Sequence, residues 1–73
     1  MPLAHGQKLS TYRIEKLPSS HLLKVLGFRE GTQFTVQSKQ PLRGPIVVKV
    51  ASRSIAIDYD VAREILVEEV VQN

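Results

Sequence analysis

Two glycines four residues apart, Gly27 and Gly31, constrain this chain more than any other feature. Leu26 precedes the first and Thr32 follows the second, which spells a helix stop and then a tight turn into a strand. Gly27 suits the left-handed position that closes a short helix. Gly31 suits a turn position at positive φ, where a side chain is penalised. A second break follows at Pro41-Leu42-Arg43-Gly44-Pro45, where two prolines and a glycine set a hairpin tip or wide loop. Between and after these breaks only short elements fit, and short elements hold together only by packing on one another.

The elements can be placed one by one. Residues 1–7 read as a loose arm, with Pro2 and Gly6 and little pattern. From Lys8 to Glu15 an imperfect alternation of Leu9, Tyr12 and Ile14 predicts a first strand, with a bulge at Tyr12-Arg13. Pro18 ends it, and Ser19 or Ser20 caps a helix carrying Leu22, Leu23, Val25 and Leu26. That helix is too short to stand alone and must dock on a sheet. Gln33–Lys39, Ile46–Val50 and Ser54–Ile57 alternate as three strands of a meander. Asp58 or Asp60 caps a single helical turn through Ala62, and Ile65, Val67 and Val70 make a closing strand. Five short strands with tight connections predict a mainly β fold, a small SH3-like barrel with one short inserted helix and a one-turn helix before the last strand. Closure of such a barrel removes unpaired edges.

The order and spacing of these segments resemble the FeoA family, small cytosolic accessory proteins of bacterial ferrous-iron transport. The likeness rests on the Leu26-Gly27 helix end, the Gly31 turn, the Pro41–Pro45 tip, the Ile46–Val50 strand, Ile55-Ala56-Ile57 and Ala62-Arg63-Glu64-Ile65-Leu66-Val67. It covers roughly residues 6 to 68. The resemblance implies the same SH3-like barrel and a partner, the cytoplasmic region of the FeoB ferrous-iron transporter, a membrane protein with a GTPase domain. It also implies a cytoplasmic protein recruited to the inner face of the membrane by that partner, with no chemistry of its own. Asp58 stands where many members carry arginine, which puts any partner contact made by that arginine in question here.

Composition narrows the functional classes. Seventy-three residues make one domain at most, spanning 1–73, and a domain of this size buries only about 60% of its unfolded surface. There is no cysteine, so neither a disulfide nor a thiolate metal site supports the core. No secretory segment or membrane span is written in the sequence. The ten basic and seven acidic residues give a formal charge of +3, with the basic ones spaced singly rather than in a block. His5 and His21 are the only histidines, and neither has an acid three or four residues away. They read as surface residues, so no metal or cofactor is expected beyond weak transition-metal binding. Ser19-Ser20-His21 is contiguous, which is not how a nucleophile meets its base, and no phosphate-binding glycine motif occurs. The chain is not expected to be an enzyme.

Binding remains. The expected partner surface comprises Leu22, Leu23 and Leu26 on the helix, Phe28 after the helix stop, and Leu42 and Arg43 at the tip, with Gly27, Gly31, Pro41, Gly44 and Pro45 as the structural turns. An apolar residue at a proline-bounded tip has no obvious intramolecular use, and an exposed Leu42 also leaves self-association open. The alternative is a nucleic-acid-binding barrel in which Tyr12, Phe28 and Phe34 stack on bases. Against it stand only four aromatic residues and no basic cluster. The same barrel also forms the C-terminal domain of metal-dependent repressors related to the diphtheria toxin repressor, a role that needs a DNA-binding domain ahead of it.

Overall fold

A computed structural model describes residues 1–71. One antiparallel sheet of five strands, in the order β4-β3-β2-β1-β5, forms the body of the molecule. The strands are β1 (Thr11–Lys16), β2 (Gln33–Lys39), β3 (Ile46–Val50), β4 (Arg53–Ile57) and β5 (Leu66–Glu69). A helix, α1 (His21–Val25), lies between β1 and β2, and a single turn, α2 (Tyr59–Ala62), joins β4 to β5. This is the mainly β, SH3-like architecture that the strand count predicts.

The core follows the strand alternation. Tyr12 and Ile14 of β1, Phe34 and Val36 of β2, Ile46 and Val48 of β3, Ile57 of β4 and Val67 of β5 all point to one buried face. Leu23, Phe28, Ala62 and Ile65 close over it from the helices and turns. The alternation of strand side chains brings these residues to one face. No charged or polar side chain is buried with them among the described residues. The Tyr12 hydroxyl reaches the edge of the core and accepts a hydrogen bond from Gln7 N at 2.7 Å.

Local departures from the sequence reading have physical reasons. The first strand begins at Thr11 rather than Lys8, because Leu9 takes a left-handed backbone (φ 70°) and turns outward. The strand does not bulge at Tyr12-Arg13. The irregularities fall between Ile14 and Lys16 against β5, and between Val36 and Ser38 against β3. Ser20 is the helix cap, accepting from Leu23 N at 3.4 Å. Asp58 occupies the cap position of α2 without a side-chain cap bond. Gly27 and Gly31 sit at φ 89° and 90°, as the turns require.

The largest correction concerns the first seven residues, which are not a loose arm. Leu3 and Ala4 are buried in a 3₁₀ turn, Leu3–His5. Leu3 N donates to Ile65 O at 2.7 Å, Val67 N donates to Met1 O at 2.7 Å, and Pro2 bridges to Leu66. Lys39 Nζ donates to the carbonyls of Ala4 and Gly6 at 3.1 and 2.9 Å. The segment thus lies along the outer edge of β5 and covers it. Its anchor is the burial of Leu3, an apolar residue with no periodic neighbours to reveal it in sequence.

Candidate functional site

The six expected partner residues fall into two separate regions. Around α1, Leu23 and Phe28 are each 2% exposed and belong to the core, while both also line the groove beside the helix. Leu26 is half-buried. A helix of five residues can turn only one narrow stripe toward the sheet, and Leu23 occupies it. Leu22 and Val25 therefore stay on the solvent side, at 63% and 65% exposure. The end of α1 is fixed by Arg53 of β4, whose Nη2 donates to Leu26 O at 3.2 Å. Phe28 N donates to Leu23 O at 3.0 Å, which draws the ring under the helix.

A groove of about 560 Å³ opens beside α1. Leu17, Pro18, Leu23 and Phe28 line it with apolar surface, and Lys24, Arg29 and Glu30 add charge. The buried pair Leu23 and Phe28 shape this groove from below. Val25, which the sequence places on the same helix, is as exposed as Leu22.

The second region is the β2–β3 tip. Gly44 N donates to Pro41 O at 3.2 Å, closing a tight turn. Its two central residues, Leu42 (φ 59°) and Arg43 (φ 61°), both hold the left-handed backbone seen in type I′ turns. Glycine and asparagine are the residues that adopt this geometry with little strain. Leu42 is 98% exposed. Arg43 folds back over the Tyr59 ring, 6.0 Å from its centroid, a cation–π contact that ties the tip to α2. Beneath it lies a shallow depression of about 390 Å³ lined by Arg43, Pro45, Asp58, Tyr59 and Asp60. Asp58 therefore stands beside the tip.

These regions do not form one surface. Arg53, which holds α1, begins β4, whereas Ile57 ends β4 just before the Tyr59 that holds the tip. Five strand residues at about 3.3 Å each separate the two by roughly 13 Å along the sheet.

Other chemistry is sparse. No group of three or more metal-ligating side chains gathers among the described residues. Glu68 pairs with the Arg13 guanidinium. It is held below its ordinary value of 4.5, first by the hydrogen bond from Arg13 and then by that guanidinium's charge. The aromatics proposed to stack on bases, Tyr12, Phe28 and Phe34, are all buried. The nucleic-acid reading thus loses its stacking platform.

A family model, the FeoA domain, matches residues 1–69. The chain belongs to the FeoA family. Among solved structures, an iron uptake regulatory protein (FeoA) superposes with a TM-score of 0.85 at 21% identity, covering 96% of both chains. Iron(II) transport protein A from Clostridium thermocellum is 32% identical with a TM-score of 0.87. That match covers 96% of this chain and 46% of the other. A manganese-dependent transcriptional repressor shares the fold at 15% identity and a TM-score of 0.86, over 96% of this chain and 41% of its own. No curated protein matches by sequence. FeoA membership implies an accessory role in ferrous-iron transport. No helix among the described residues is long and apolar enough to cross a membrane.

Proposed function

We propose that this FeoA-family chain serves ferrous-iron uptake by binding the cytoplasmic region of a FeoB-type transporter, with the β2–β3 tip as the docking element. The supporting observation is Leu42, fully exposed on a turn whose two central residues both carry left-handed strain. Such strain persists only where surrounding structure holds it, and it is found preferentially at functional sites. A leucine in that place makes no contribution to the core. It offers a partner an apolar side chain on a short, pre-ordered loop, which lowers the ordering cost of binding. Arg43 and Asp58 flank it with opposite charges that set orientation rather than bulk affinity. The protein is drawn to the inner face of the membrane by this contact and biases one conformation of the transporter.

The test is calorimetric titration of the transporter's cytoplasmic region with wild-type protein and with Leu42→Asp. The substitution weakens binding at least tenfold and leaves the thermal midpoint within about 2 °C, since an exposed residue away from the core has little effect on stability. Undiminished binding by Leu42→Asp overturns the assignment of the tip.

A further inference from the structure

The tip takes one end of the sheet, and the groove beside α1 takes the other with no part in that contact. Its apolar lining comes from Leu17 and Pro18, where the chain leaves β1, and from Leu23 and Phe28. At about 560 Å³ it falls within the size range of ligand sites, roughly 300–1,000 Å³. A mainly apolar lining with a few polar groups is also their usual composition. Leu22 and Val25, both exposed, add apolar surface on the same helix.

Charge decides what kind of occupant fits. Lys24, Arg29 and Glu30 line the groove, and all three are exposed. None of them is in an ion pair among the described residues. The pairs there join Arg13 to Glu68 and Arg63 to Asp60, away from α1. Arg53 brings a further cation to the end of the helix, where its Nη2 donates to Leu26 O. Lys24, Arg29 and Arg53 thus stand against Glu30 alone around an apolar floor. A simple anion would meet the cations and leave the floor in water. A wholly apolar segment would cover the floor and draw unpaired cations out of water, which is costly. An occupant that carries both features avoids each penalty.

We infer that this groove docks a short acidic peptide segment of a partner protein. One large apolar side chain of the segment sits on Leu17, Leu23 and Phe28, and adjacent Asp or Glu residues face Lys24 and Arg29. Glu30 penalises any acid placed beside it, which keeps the segment's carboxylates on the Lys24–Arg29 part of the rim. A single groove of this size buries less than the ~1,200 Å² of stable interfaces, so the contact is weak and reversible. The inference does not rest on the transporter reading, because the Leu42 tip takes no part in it.

Selection from a phage-displayed library of random linear peptides tests it, followed by fluorescence-anisotropy titration of synthetic peptides from the enriched set. The enriched sequences share a large apolar residue next to Asp or Glu, and raising salt weakens their binding. Lys24→Glu combined with Arg29→Glu lowers affinity about tenfold or more while the protein stays folded, since both side chains are exposed. The same peptides with lysine in place of their acids bind that double variant and not the wild type. Leu42→Asp binds the acidic peptides as wild type does, which separates this surface from the transporter contact. Enrichment of peptides without acids overturns the inference, as does the absence of any enrichment. Acidic peptides whose affinity is indifferent to the double substitution overturn it too.

Discussion

The groove beside α1 and the tip of the β2–β3 hairpin lie at opposite ends of β4 and are built by opposite rules. Around α1 the backbone takes left-handed geometry only at glycine, at Gly27 and Gly31, and the large apolar residues Leu23 and Phe28 are drawn inside. At the tip, left-handed geometry falls on Leu42 and Arg43, and the apolar residue is wholly outside. The first region follows folding physics, in which strain is minimised and apolar area is buried. The second departs from it on both counts, and is held by the Gly44–Pro41 and Gln40–Pro45 backbone hydrogen bonds and the Arg43–Tyr59 contact. The proposal that the tip docks a partner rests on that contrast.

The contrast can be broken or sharpened by substitution. Phe28→Ala removes a fully buried ring from beneath α1 and lowers unfolding free energy by about 3–5 kcal/mol, read by urea denaturation. If Phe28 served a partner instead of the core, stability would hardly change. At the tip the sign reverses. Replacing Leu42-Arg43 by Asn-Gly supplies residues suited to the turn and raises stability by about 1–2 kcal/mol, net of the lost cation–π contact. The same double change abolishes transporter binding. A loss of stability there would show that the tip is structural after all.

The smallest effect belongs to neither region and serves as their control. In Glu68 the folded-state pKa lies below 4.5, because Arg13 donates to its carboxylate. Its stabilising contribution is therefore present above pH 4.5 and is lost as pH falls through the folded value. Glu68→Gln flattens the thermal midpoint against pH in that acid window. It changes the midpoint at pH 7 by little, since the pair is solvent-exposed. Transporter binding stays unchanged.

Much of the fold was legible because its signals are local. Gly27 and Gly31 announced positive φ, Ser20 announced the cap, and the alternation in Gln33–Lys39 and Ile46–Val50 announced faces that the structure then buries. The site was legible only in part. Leu22, Leu23, Val25 and Leu26 look equivalent on a short helix, yet which of them faces inward depends on how α1 is docked by Arg53 and Phe28, both distant from it in the sheet or beyond the turn. The covering of β5 by Met1–Leu3 left no periodic trace, because a single buried leucine has no pattern.

Sequence by itself determined the class of fold, the turn positions and the oddity of an apolar, proline-bounded tip, since each depends on residues within a few positions of one another. Tertiary structure alone decided that Leu42 and the α1 groove lie on different ends, that Leu23 and Phe28 belong to the core, and that one sheet edge is covered while the other is open. Those outcomes depend on contacts between residues far apart in the chain. Long-range contacts form where buried area offsets the entropy of closing the loops between them, a balance that local pattern does not record.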